Sequence, residues 1–258
     1  MLPTVLSPGT QARQYAAAPA AAAAFSPLSL SPLAWFDASV ANSLFQDYTG
    51  TTPATADADP IGLWKDQSGN ANNASTATGV TQPTLRLAVK NGKNVVRFDG
   101  ADDRLATGNL SVTQDWSVFT AALGPGVSAG QVLVTTTRIG SDHGVHFFQD
   151  GTTMRTQTYN TLGTPFIALK SVTQNIWALQ GSLVSAGVST CYINGSGGTP
   201  TTMTGTPNSG SYPLSLGYYS GIFYFGKDLA EVLFFNSALS TTNRQAVESY
   251  LNAKWALY

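Results

Sequence analysis

The sequence predicts an all-β body of two packed sheets or a closed barrel, finished by one C-terminal helix and preceded by an extended N-terminal arm. Three observations predict it. From Asn94 onward, short runs rich in Val, Ile, Thr, Phe and Tyr alternate with clusters of Gly, Asn, Asp and Pro, which is the grammar of strands and turns. No helical segment separates those runs, so parallel strands joined by crossover helices do not fit. A helical period occurs once, at the end of the chain. A chain of 258 residues accommodates one such body plus an arm, since β-sandwiches often exceed 200 residues as single units.

The arm covers residues 1–31, where Pro3, Pro8, Pro19 and Pro27 punctuate an Ala-rich run from Ala16 to Ala24. A cleaved leader fits poorly: Met1 is followed by no early basic residue, and Pro19 interrupts a weakly apolar core. Such a segment cannot offset its own ordering entropy of roughly 1–2 kcal/mol per residue. The expectation is therefore an arm held by a neighbouring subunit through Leu2, Val5, Leu6, Tyr15 and Phe25. Folding back on its own domain is the alternative.

Candidate strands are residues 94–99, 116–123, 131–139, 144–149, 153–159, 176–183, 188–193, 214–219 and 229–235. In the last, Ala230, Val232 and Phe234 are expected on one face with Leu233 and Phe235 on the other, as in a central strand covered on both sides. Ser185-Ala186-Gly187 is short enough to close a hairpin, and Asn194-Gly195 tolerates positive φ. Ser240 can cap a helix over about residues 241–255, with Val247, Tyr250, Leu251 and Trp255 on one buried face.

Composition narrows the function. Charged residues are only 10% of the chain and the net charge is −1, so no electrostatic footprint for nucleic acid or an anionic membrane exists. No stretch reaches the roughly 18 apolar residues of a membrane span. Cys191 is the one cysteine, which excludes an intrachain disulfide and Cys-based zinc sites.

Five stretches carry a family resemblance: PLAWFDAS (32–39), WKDQSGNANNAS (64–75), VVRFDGADDRL (95–105), CYINGS (191–196) and DLAEVLFFNSALSTTNRQAVESYLNAKWAL (228–257). Across residues 32–258 the chain resembles the concanavalin A-like lectin/glucanase superfamily, in its laminin-G-like bacterial and phage branch. The resemblance implies a jelly-roll β-sandwich. It does not select among glycan binders, adhesins, hydrolases and structural modules of phage particles.

Glucanases of that superfamily carry their acids on one strand as Glu-x-Asp-x-x-Glu. The only glutamates here are Glu231 and Glu248, in separate elements, so the expectation is a non-enzyme. His143 and His146, beside Asp142, lack a third ligand and a nucleophile. Asp99, Asp102 and Asp103, joined by Asp66, form the one carboxylate-dense patch, suited to Ca²⁺ or equally to capping turns. The resemblance also allows calcium at such a rim; no other cofactor is expected. The five tryptophans default to the core, leaving Tyr48, Tyr159, Tyr212 and Tyr219 as sugar-stacking candidates.

The first functional expectation is a structural and adhesive component of a phage-like virion, as a capsid decoration, head fibre or tail-surface protein. Its arm would fasten to other virion subunits, the chain would form a homo-oligomer, and the jelly roll would meet host-surface glycans. The alternative is a stand-alone or cell-surface carbohydrate-binding module. A polysaccharide-degrading enzyme ranks third.

Overall fold

The computed structural model describes residues 25–124, 130–136 and 145–258, with residues 145–150 described by their backbone. The fold is an all-β jelly-roll sandwich with one C-terminal helix. One nine-stranded sheet runs in the order β15 (Ser196–Gly197), β14 (Val188–Ile193), β13 (Trp177–Ser185), β8 (Trp116–Leu123), β20 (Asp228–Phe235), β6 (Lys93–Arg97), β5 (Thr84–Lys90). In it, β1 (Ala34–Asp37) also pairs with β20, and β16 (Thr201–Thr202) with β14. The facing sheet runs β12 (Pro165–Ser171), β11 (Thr153–Tyr159), β10 (Val145–Asp150), β9 (Gln131–Thr135), β17 (Gly210–Leu216), β7 (Leu105–Val112), β4 (Ala74–Ser75), β3 (Leu63–Trp64), β2 (Leu44–Phe45). A separate hairpin joins β18 (Tyr218–Tyr219) to β19 (Phe223–Tyr224). Every pairing is antiparallel.

Turn chemistry fixes the register. Ser185 faces Val188 across Ala186-Gly187, both left-handed at φ 46° and 78°. Ile193 faces Ser196 across Asn194-Gly195 at φ 49° and 77°, and Lys90 faces Lys93 across Asn91-Gly92 at φ 49° and 67°. Two central residues at positive φ are what the right-handed twist of a hairpin demands. In the turn that begins at Ser68-Gly69-Asn70 the left-handed positions are Gly69 and Ala71. That turn ties the two earliest motifs together: Asn70 and Asn72 donate from Nδ2 to the carbonyls of Pro32 and Leu33 at 3.0 and 2.8 Å, and Asp66 Oδ1 accepts from Trp35 N at 2.9 Å.

β20 is buried along its whole length, as expected of a central strand. Its facing differs in one place. A register shift between Leu229 and Glu231 is a β-bulge, so Ala230 joins Leu233 and Phe235 on the helix side, leaving Leu229, Val232 and Phe234 toward the facing sheet. The extra residue breaks strict alternation.

The main core lies between the sheets and includes Phe36, Trp64, Phe98, Trp116, Phe225 and Phe234. A second core lies between the first sheet and α1 (Thr241–Trp255), where Phe119, Leu233, Phe235, Val247, Leu251 and Trp255 are all fully buried. Ser240 Oγ accepts from Asn243 N at 3.2 Å as the expected cap, while Tyr250 is only half-buried. Among the described residues no helix is long and apolar enough to cross a membrane.

Several elements depart from the sequence expectation. Strands start at Ala34, well before Asn94, because β1 to β4 are too short to show a period. β5, β7 and β12 also went unassigned. The 214–219 run splits at Gly217, whose φ of 77° turns the chain into the β18–β19 hairpin. Residues 137–139 of the 131–139 candidate lie outside the described residues, as does residue 144. So do Leu2, Val5, Leu6 and Tyr15 of the arm. Phe25 is described, and it sits edge-on to Tyr250 of its own chain at 6.2 Å between ring centroids, with Leu30 packed against the second core. Residues 25–31 thus rest on their own domain.

Candidate functional site

After β6, Phe98 plugs the core and the chain turns on Gly100 at φ 81°. The loop is built by its own carboxylates. Asp99 Oδ1 accepts from Ala101 N at 2.8 Å, and Asp103 Oδ2 accepts from Asp99 N at 2.8 Å. Turn capping accounts for both contacts. The three carboxylates of Asp99, Asp102 and Asp103 nevertheless converge, with one oxygen of each within 4.8 Å of the others. Asp103 is 5% exposed, and burial, with repulsion from Asp99 and Asp102, pushes its pKa up to about 6. Asp66 is not part of this cluster; its carboxylate accepts from Trp35 N, Ser68 N and Asn72 N in the other turn.

Next to that loop stands the β18–β19 hairpin. Gly100 and Gly226 pack backbone to backbone, and a Cβ built on Gly100 would lie 3.1 Å from Gly226 Cα. Gly226 N donates to Gln131 Oε1 at 2.9 Å, and Phe98 meets Phe225 at 5.9 Å, pinning the hairpin base. The hairpin carries two aromatic pairs: Tyr219 stacked on Phe223 at 6.1 Å and 9°, and Tyr218 tilted on Tyr224 at 5.4 Å. All four rings are half-buried, and Ile222 at the tip is 69% exposed. Arg104, which ends the acidic loop, places its guanidinium 5.3 Å from the Tyr218 ring centroid. Aromatic faces, two accessible carboxylates and a cation therefore share one rim. Such a mixture suits a polyhydroxylated ligand, whose C–H face stacks and whose hydroxyls bond laterally.

The other candidate tyrosines are scattered. Tyr48 is exposed on a turn that Asp47 caps through Thr49 Oγ1 and the amides of Thr51 and Thr52, contacts that hold the Asp47 carboxyl well below the usual range. Tyr159 is a correction: at 5% exposure it is buried, with Gln157 Nε2 donating to its hydroxyl, so it offers no free face. Tyr212 is half-buried on β17 against the main core. It adjoins Gly210, which helps line an open groove of about 690 Å³ with Ser111, Gln114, Asp115 and Ala186.

Glu231 and Glu248 are both engaged in packing the helix. Glu231, fully buried, accepts from Trp35 Nε1 at 2.7 Å, Tyr250 Oη at 2.9 Å and Trp255 Nε1 at 2.6 Å, and pairs with Lys254 at 2.8 Å. Lys254 also pairs with Asp37. Burial, with Asp37 nearby, raises the Glu231 pKa against the pull of Lys254. Glu248 pairs with Arg244 at 2.5 Å. Cys191 is buried beside Thr156, and desolvation pushes its thiol up to about 11. Asp142 and His143 lie outside the described residues, and for His146 only the backbone is described.

Tyr218, Phe223, Tyr224 and Arg104 were not singled out from the sequence. The signal was present in Gly217-Tyr-Tyr-Ser-Gly-Ile-Phe-Tyr-Phe-Gly226, an aromatic-dense stretch between glycines. Only the fold reveals that it stands beside the acidic loop.

No family model and no curated protein matches the chain. Solved structures match it by fold. The receptor binding domain of botulinum neurotoxin D aligns with a TM-score of 0.60 and 11% identity, covering 86% of this chain and 53% of that one. The serotype D ligand binding domain in complex with N-acetylneuraminic acid gives 0.58 and 11%, covering 85% and 51%. Domain 4 of AbnA, a GH43 extracellular arabinanase from Geobacillus stearothermophilus, in complex with arabinotriose, gives 0.58 and 13%, covering 72% and 91%. The chain thus spans about half the length of the neurotoxin domains it matches. At these identities the likeness is one of fold: a β-sandwich shared with binding domains.

Proposed function

We propose that the chain is a carbohydrate-binding module whose sugar contacts lie on the β18–β19 hairpin and the adjoining acidic loop. The observation that carries the reading is the juxtaposition of the Tyr219/Phe223 and Tyr218/Tyr224 pairs with Asp99, Asp102 and Arg104 on one rim. Support by analogy comes from sandwiches of the same fold solved with N-acetylneuraminic acid and with arabinotriose. A glycan array probed with the full chain, followed by calorimetry on the strongest hit, tests the reading. Tyr219→Ala and Tyr218→Ala are expected to weaken binding about tenfold, the scale of one lost stacking partner. Gln114→Ala, in the distant groove, is expected to leave it unchanged. The reverse pattern would move the site to the groove.

The finer reading sets this module on a phage-like particle as a decoration, fibre or tail-surface subunit, fastened by residues 1–24 and repeated so that weak sugar contacts add. The arm's composition and the hydroxyl-rich, weakly charged sequence support it. Sedimentation of the full chain against residues 25–258 tests it: oligomers only with the arm support it, and a monomer in both cases sinks it. The module acts without catalysis, and a reducing-end assay on capsular polysaccharide is expected to stay at background. Calcium is the ion proposed for the Asp99, Asp102 and Asp103 oxygens, whose spacing permits a shared hard cation. Added Ca²⁺ should raise the melting temperature of the wild type but not of Asp102→Asn.

A further inference from the structure

The interior between the sheets has two chemically different halves. Beneath β1, β6 and β20 it is filled by Phe36, Trp64, Phe98, Trp116, Phe225 and Phe234. Where β13 and β14 face β11 and β12, hydroxyls and an amide are interspersed among Met154, Ala168 and Val184. Thr156 Oγ1 donates to Ser182 Oγ across the sheets at 2.6 Å and lies 3.1 Å from Cys191 Sγ, which reaches the Ala168 carbonyl at 3.2 Å. Those contacts show which way the alternating side chains point.

Four polar side chains on the same faces have no hydrogen-bond partner among the described residues. Gln180 stands two residues before Ser182 in β13 and directly opposite Thr120 of β8. Ser189 and Thr158 form a separate group toward the other end of these strands: Ser189 pairs with Val184, four residues along β13 from Gln180, and Thr158 stands two residues after Thr156. Gln180, Thr120 and Ser189 are 0% exposed and Thr158 is 2% exposed. Among the described residues, neither amide atom of Gln180 nor the hydroxyls of Thr120, Ser189 and Thr158 meet a hydrogen-bond partner. A carboxamide presents two donors and an acceptor with two lone pairs, and burying it unpaired is among the costliest things a core can do.

We infer that ordered water is bound inside this half of the sandwich, bridging the Gln180 amide to the Thr120 hydroxyl directly opposite it. Water suits the site because one molecule both donates and accepts, and an internal water makes about three hydrogen bonds to otherwise unsatisfied groups. Gln180 and Thr120, paired across β13 and β8, offer three such atoms between them. The inference does not depend on the glycan reading.

Oxygen-17 magnetic relaxation dispersion on the full chain tests it. The wild type is expected to show long-lived internal waters, and Gln180→Met with Thr120→Val to lose about one or two of them. That double variant replaces both partners by apolar groups of like shape, so its melting temperature should equal or exceed that of the wild type. Unchanged dispersion with a lowered melting temperature would overturn the inference, because it would mean that Gln180 bonds directly to protein. A high-resolution crystal structure of the wild type decides independently of whether the variant folds. Water within hydrogen-bond reach of Gln180 Nε2 and Oε1 supports the site, and protein groups in that place refute it.

Discussion

Asp103 and Glu231 are both carboxylates whose pKa burial raises, and they differ in the donors that surround them. Burial of Asp103, with repulsion from two acidic neighbours and only one backbone donor to offset it, holds its folded pKa at about 6, above the ordinary 3.8. The folded state then binds more protons than the unfolded chain between those values, and stability falls as pH rises through that window. A shift of about two units corresponds to roughly 3 kcal/mol at most. Asp103→Asn keeps an acceptor for Asp99 N and removes the charge. It is expected to melt higher than the wild type at pH 7 and no higher near pH 3.5, as scanning calorimetry at the two pH values would reveal. Glu231, by contrast, has donors on every side. Glu231→Ala strands two indole N–H groups and the Tyr250 hydroxyl proton, leaves Lys254 only Asp37 as its counter-charge, and should cost about 3–5 kcal/mol in urea unfolding. A loss under 1 kcal/mol would mean that this network contributes little.

At the scale of elements, hairpin chemistry decides where the chain turns. Ala186 occupies a left-handed position at φ 46° that glycine or asparagine holds more easily. Ala186→Gly should therefore stabilise the β13–β14 hairpin by roughly 0.5–1 kcal/mol, readable as a higher denaturation midpoint. Gly217 is the converse. Its φ is 77° and a Cβ would run into the Phe98 ring. Gly217→Ala should cost about 2 kcal/mol or more and weaken any ligand held by the β18–β19 hairpin, since that hairpin leaves the sandwich at Gly217. Strands with a sustained run of β-branched, aromatic and small apolar residues, such as β8, β13, β14 and β20, were legible in the sequence, as were the capped helix and the Asn194-Gly195 turn. The two-residue strands β2 to β4 were not, because pairing that short is imposed by neighbours and leaves no period. The bulge in β20 was equally invisible: nothing in Leu229-Ala230-Glu231 announces that two successive residues face the helix, and only the Trp35, Tyr250 and Trp255 donors around Glu231 explain it.

For the whole molecule, the sandwich sets function by what it brings to its rims. The acidic loop was legible as a dense patch, since its aspartates are adjacent in sequence. Its meeting with the aromatic hairpin was not, because roughly a hundred residues separate them and only the pairing of β6 with β20 brings Phe98 and Phe225 together. Tyr159 misled because a residue at a strand end reads as accessible until the neighbouring strands are in place. The most direct test of a sugar-binding rim is to map, by amide chemical-shift changes in the ¹⁵N-labelled chain, where the best-binding oligosaccharide sits. The account predicts shifts concentrated at residues 99–104 and 217–226. Shifts confined to residues 111–115, 186 and 209–210, with the hairpin silent, would contradict it.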